Sequence, residues 1–164
     1  MKFSDAAIIS VQDPYNKILK GSTIAWLPDA VLFYEDDRLN NAPIRALIES
    51  DIIKNIKAKE LQMVESVNGS KYAIAYTAAL ESSLDDAALI RRFGLLPGHA
   101  QIPENDANVE KGTLIIYIFD NRNNDVVWRV AAQVGVQFNM SSEEREQRTK
   151  KILTEMFLTL DIAE

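Results

Sequence analysis

The sequence predicts an α+β fold: a two-layer sandwich with a mainly antiparallel sheet of two hairpins plus an N-terminal strand, packed by two long helices and one short helix. Three observations predict it. Apolar residues recur at helical spacing in two long segments, positions 42–59 and 142–160. Between them the pattern alternates with a period of two, as strands do. Asn68-Gly69 and the run Asp120–Asp125 interrupt that alternation with turn-forming residues. At 164 residues the chain suits one domain, with an ordered core expected over positions 8–160.

The elements follow in order. Ile8–Val11 reads as a short strand, with a turn at Asp13-Pro14-Tyr15-Asn16. Ser22–Leu27 is a stronger strand, stopped by Pro28. Asn40 or Asn41 can cap a helix with Pro43 in its first turn, where a missing N–H is harmless. Ile44, Leu47, Ile48, Ile52, Asn55 and Ile56 then form one stripe, predicting a helix over Ala42–Lys59. Leu61–Val67, Asn68-Gly69 and Ser70–Leu80 read as strand, type I′ turn and strand. Tyr72, Ile74 and Tyr76 share one face of the second strand. Ala73, Ala75 and Ala79 line the other, where a helix could lie close.

Ser82–Gly94 reads as the short helix, with Ser83 and Asp86 as its capping pair and Gly94 at its end. Leu95–Glu110 has no periodicity and holds Pro97, Gly98 and Pro103; so long a connection is functional or mobile. Thr113–Phe119 is apolar on both faces, so it belongs at the sheet centre, covered on both sides. Val126–Phe138 alternates apolar residues with Arg129, Gln133 and Gln137, predicting a half-buried strand. Ser141-Ser142-Glu143-Glu144 is a capping box opening the last helix, which buries Ile152, Leu153, Met156, Phe157 and Leu160.

Composition excludes several functions. The net charge is −6 and the pI about 4.9, which argues against broad binding to nucleic acid or anionic lipid. The absence of cysteine removes disulfides, thiolate metal sites and cysteine nucleophiles. No stretch is apolar enough for a transmembrane segment. MKFSDAAIIS does not read as a signal peptide, so the expectation is a cytoplasmic chain or one already relieved of its export segment.

The candidate sites are few. Asp120–Asp125 carries oxygen ligands in calcium-loop style, but that template needs ligands at positions 3 and 5, glycine at 6 and glutamate at 12. Here positions 3, 6 and 12 are Arg122, Asp125 and Ala131, so a hairpin turn is expected instead, and no metal. Lone His99, in a Pro/Gly loop, cannot build a multi-histidine metal site, and the bland reading is an exposed loop residue. Glu35, Asp36 and Asp37 could do acid–base work but fit a solvated charge run. Arg91 and Arg92 could grip an anion or pair with the end of the short helix. No glycine-rich phosphate loop or serine-nucleophile elbow occurs, so no cofactor and no catalytic residue is assigned.

STIAWLPD, YAIAYTAAL, LIRRFGLLPG and EKGTLIIYIFDNRNNDVVWRVAAQ together resemble a bacterial domain-of-unknown-function family of small outer-membrane or periplasmic lipoproteins. The resemblance spans Ile8–Leu160. It is sharpest at Lys111-Gly112-Thr113, the apolar strand after it, Asp120 and Val127-Trp128-Arg129. Where the family pattern has a loop glycine this chain has Asn124, which tolerates positive φ. The stretch from Met1 shows neither the signal peptide nor the lipid-attachment cysteine of that family, so the expectation is either a trimmed chain or a soluble, unanchored member.

The resemblance implies a cell-envelope protein without a catalytic motif. The leading expectation is therefore a non-enzymatic accessory or binding module for an unknown protein or small ligand. Its surface would be Leu95–Glu110 with Arg91, Arg92 and His99 as ligand- or partner-binding residues. The alternatives are an enzyme of unrecognised type using His99 or the Glu35–Asp37 carboxylates, and a self-associating homo-oligomer.

Overall fold

The computed structural model describes residues 7–28, 32–33, 42–80, 109–137 and 140–164. Among these, nine strands and two α-helices follow in the order β1 (Ala7–Gln12), β2 (Ile18–Leu19), β3 (Thr23–Trp26), β4 (Leu32–Phe33), α1 (Ala42–Ala58), β5 (Gln62–Met63), β6 (Tyr72–Leu80), β7 (Val109–Asp120), β8 (Val126–Gln137), α2 (Ser142–Phe157) and β9 (Ile162–Ala163). The expected short helix over Ser82–Gly94 lies outside the described residues.

The main sheet has seven strands. Six run in the order β1-β8-β7-β6-β3-β5, and β4 also pairs with β6. The β1/β8, β8/β7 and β7/β6 pairs are antiparallel, as expected. The β7/β8 hairpin stands as predicted, and β7 sits inside the sheet between β8 and β6.

The other predicted hairpin does not form. β3 lies between β5 and β6 and is parallel to both. The reason is the helix: β3 leads through α1 to strands that return alongside it, and a crossover through a helix produces parallel pairing. Val67–Gly69 is one turn of 3-10 helix. Among the described residues positive φ occurs only at Gly21, Glu60 and Asn124, so Asn68-Gly69 makes no type I′ turn.

Both helices lie on one face of the sheet. Ile48, Ile52 and Ile56 of α1 and Leu153, Met156 and Phe157 of α2 share one core with Tyr72, Ile74, Tyr76, Ile116, Ile118, Trp128 and Val130. The helices thus cover the tyrosine face of β6 rather than its alanine face. All nine residues of β6 are buried, so the alanine face is covered too. β8 likewise exceeds the half-buried expectation, because Ala131 and Gln133 on its other face are 0% exposed.

The serine half of the expected capping box forms: Ser141 caps α2, its Oγ accepting from the Glu144 N–H at 3.2 Å. The chain closes on its own start. β9 pairs with β2, and the Gln12 amide exchanges two 2.9 Å hydrogen bonds with the Asp161 backbone.

Candidate functional site

Side-chain volume is distributed unevenly along the helix-facing side of the sheet. At one end Trp128 meets Phe157 with ring centroids 5.2 Å apart, and its indole N–H donates to Thr159 Oγ1 at 3.1 Å. Tyr72 and Ile118 fill the same layer. At the other end the cross-strand register brings small residues together. Ala78 pairs with Leu114, Leu114 with Ala132, and Gly112 sits one helix-facing step beyond Leu114. A Cβ on Gly112 would stand 2.6 Å from Val136 Cγ2, so a larger residue fits only if the Val136 side chain shifts. Small side chains do not reach the helices, and packing at close-packed density fails there.

The result is a groove of about 140 Å³ between α1, α2 and the sheet. Ala78, Gly112 and Ala132 make its floor. Ile44, Leu47 and Ile48 line it from α1, and Thr149, Ile152 and Leu153 from α2. Arg145 and Arg148 also line it from α2. Burial disfavours the charge of Arg148 and lowers its pKa. The chemistry on offer is burial of an apolar group.

Two carboxylates differ sharply. Asp120 is 0% exposed and fully engaged: it accepts from the Arg122 backbone N–H at 2.9 Å, from Arg122 Nε at 3.2 Å and Nη2 at 2.9 Å, and from Asn16 Nδ2 at 2.8 Å. Arg122 above all, helped by Asn16, holds its pKa well below the usual carboxylate range. Both its oxygens are committed to protein donors, and Asn124 takes the positive φ of 61°. The run Asp120–Asp125 is a turn, as the failed calcium template implied. Asn121 adds a tie that sequence reading missed: its amide donates to the carbonyls of Val67 at 2.6 Å and Ser70 at 3.0 Å.

Asp51 is the opposite case. It is buried on α1, and among the described residues its Oδ2 has no hydrogen-bond partner. Desolvation raises its pKa, against the pull of Lys54 and Lys150. Among the described residues no three His, Cys, Asp or Glu side chains gather as metal ligands, and no helix is long and apolar enough to cross a membrane.

The residues singled out from sequence, Arg91, Arg92, His99 and Glu35–Asp37, all lie outside the described residues. The groove was missed by sequence reading. Its only sequence trace is alanine and glycine at helix-facing positions of three strands, which becomes a signal only once the register is known.

Residues 12–159 match the model of a family described as a domain of unknown function, DUF4136. No curated protein matches the chain. Among solved structures it is similar to a DUF4136 family protein from Bacteroides thetaiotaomicron, at TM-score 0.58 and 12% identity, covering 93% of this chain and 94% of that one. It is also similar to PelC from Paraburkholderia phytofirmans, solved as a dodecamer, at TM-score 0.55 and 10% identity, covering 94% and 98%. A lipoprotein from Neisseria meningitidis is similar at TM-score 0.45 and 8% identity, covering 84% and 98%. At these identities the first two likenesses are of fold alone.

Proposed function

This chain belongs to the domain-of-unknown-function family DUF4136, and on that premise we propose that it is a non-enzymatic binding module of the bacterial cell envelope. The observation that carries the reading is the apolar groove between α1 and α2. A cleft of this kind, apolar with a few polar groups to orient a ligand, is where small molecules bind. Among the described residues its lining includes no Ser, Cys, His, Asp or Glu. The envelope assignment is supported by the resemblance of the GTLIIYIFD…VVWR hairpin to a family of small envelope lipoproteins.

Arg91, Arg92 and His99 belong to the same proposal. They lie in the connection between β6 and β7 and are its candidate ligand- or partner-binding residues. The test is purification from the cell envelope under native conditions, followed by mass spectrometry of extracted small molecules. The native chain is expected to carry an apolar compound that the groove-filling variant Ala78→Leu lacks. Identical extracts from both would sink the reading.

Self-association is a second reading, favoured by a specific observation. Among the described residues β1 pairs on one side only, with β8, and it exposes Ile9 and Val11. An apolar strand edge is a template for another chain, and the fold is shared with a PelC that forms a dodecamer. Sedimentation equilibrium should show a mass above the monomer that falls on Val11→Lys. A clean monomer at high concentration would refute it.

A further inference from the structure

We infer that β1 pairs antiparallel with the β1 of a second copy of this chain, around a two-fold axis at Ser10; this rests on the self-association reading above and names its contact. Among the described residues the main sheet ends in two edges, β1 and β5. β5 has two residues, and so short an edge offers another chain little to pair with. β1 has six, in unbroken register with β8. It carries no charge, no proline and no bulge, the devices that blunt an edge.

The β8 ladder decides which backbone groups point outward. The Asp13 N–H donates to the Val127 carbonyl at 2.8 Å, one step beyond the last β1 pair, Gln12↔Trp128. Antiparallel pairs alternate between bonded and non-bonded. Val11, Ile9 and Ala7 therefore also spend their N–H and C=O groups on β8, and Ile8, Ser10 and Gln12 turn theirs to the open edge.

Those outward groups set the register. A two-fold at Ser10 places Ser10 opposite the copy's Ser10 and Ile8 opposite the copy's Gln12, so every outward group of both strands is bonded. An axis at Ile9 leaves Gln12 beyond the end of the copy's β1. An axis at Val11 sets Ile8 against Pro14, which has no N–H, and Ile9 against Asp13.

The side chains agree with Ser10. Ile8 packs into the helix-covered core, so Ile9 and Val11 point to the other face, where they are 37% and 48% exposed. The Ser10 axis opposes Ile9 to the copy's Val11, and Val11 to the copy's Ile9, in the non-bonded pairs where side chains come closest. Each copy carries −6, yet the nearest described charge, Asp13, faces the copy's Ala7. A foreign strand would have to reproduce this spacing; a second copy brings it, and the contact closes at two chains.

The chain has no cysteine, so introduced thiols report without background. Ile9→Cys and Val11→Cys chains, one of them mass-tagged, are oxidised separately and as an equal mixture. Directly opposed Cα atoms stand about 4.5 Å apart and can be bridged, whereas diagonal ones at about 7–8 Å cannot. Cross-linking should therefore be confined to the mixture, joining one chain of each kind. Ser10→Pro removes an outward N–H that β8 does not use. It should keep the native circular dichroism and raise the dimer dissociation constant at least tenfold in sedimentation equilibrium. Cross-linking of either variant with itself would overturn the Ser10 axis. Absence of any cross-link while the native chain sediments above the monomer mass, or a folded Ser10→Pro that associates as tightly as the native chain, would overturn the pairing and leave self-association standing. A native chain that stays monomeric at high concentration would overturn both.

Discussion

The two ends of the helix-covered sheet face share their strands and their helices, yet one is solid and the other open. At the solid end Trp128, Tyr72 and Phe157 are at most 1% exposed, and the Trp128 and Phe157 rings stand 5.2 Å apart. At the open end Ala78, Gly112 and Ala132 occupy the equivalent positions. The backbone frame does not change between the two; the side-chain volume does. Stability and binding capacity are thus separated along one sheet, with filled positions for the first and missing volume for the second.

The largest test of this contrast is truncation at the solid end. Trp128→Ala should lower unfolding free energy by roughly 3–5 kcal/mol, because it removes a fully buried indole and leaves a cavity. Leu114→Ala at the open end should lower it by less than about 2 kcal/mol, since space already adjoins that side chain. Denaturant titration of the two variants decides; equal losses would break the distinction.

Gly112→Ala should lower stability by roughly 1–3 kcal/mol through overpacking against Val136. Val136→Ala in that background should recover most of the loss, and a double-mutant cycle measures the coupling. No coupling would mean that the glycine is required for some other reason.

The carboxylates sharpen the contrast further. Asp120→Ala, beside Tyr72 at the solid end, should lower stability by about 1–2 kcal/mol because it removes the buried acceptor of the Arg122 backbone N–H and of Asn16 Nδ2. Its folded pKa is depressed, so this stabilisation is present above the ordinary value of 3.8 and is lost as pH falls through the lower folded value. Urea midpoints should therefore fall more steeply below pH 3.8 for the native chain than for Asp120→Asn.

The smallest effects belong to the open end and its surroundings. Ala78→Leu should raise stability by about 0.5–1 kcal/mol by filling space, read as an increase in Tm. Asp51, one turn along α1 from Leu47 and Ile48 in the groove wall, has a raised folded pKa. Its folded state keeps the proton longer, so stability declines as pH rises from 3.8 through that folded value. Asp51→Asn should have a slightly higher Tm than the native chain at neutral pH, with the difference vanishing below pH 3.8.

Local chemistry was legible in the sequence wherever the physical cause was local. The helix predicted over Ala42–Lys59 runs from Ala42 to Ala58, and Ser141 caps α2. The β7/β8 hairpin turns at Asp120–Asp125 with Asn124 at positive φ. These follow from periodicity, capping and turn preference, which act over a few residues. Asn68-Gly69 failed because its preference for a tight turn was weaker than the demand of the crossover, which placed β3 between β5 and β6.

The sequence alone determined the α+β class, both long helices, the central hairpin and the exclusion of cysteine chemistry, since composition and short-range pattern suffice for these. Only the tertiary structure decided the parallel half of the sheet, the engagement of Asp120 by Asn16 from 104 positions away, and the groove. Those depend on strand register and on which face the helices choose. Register brings Ala78, Gly112 and Ala132 together from three strands, and no short window of sequence contains that meeting.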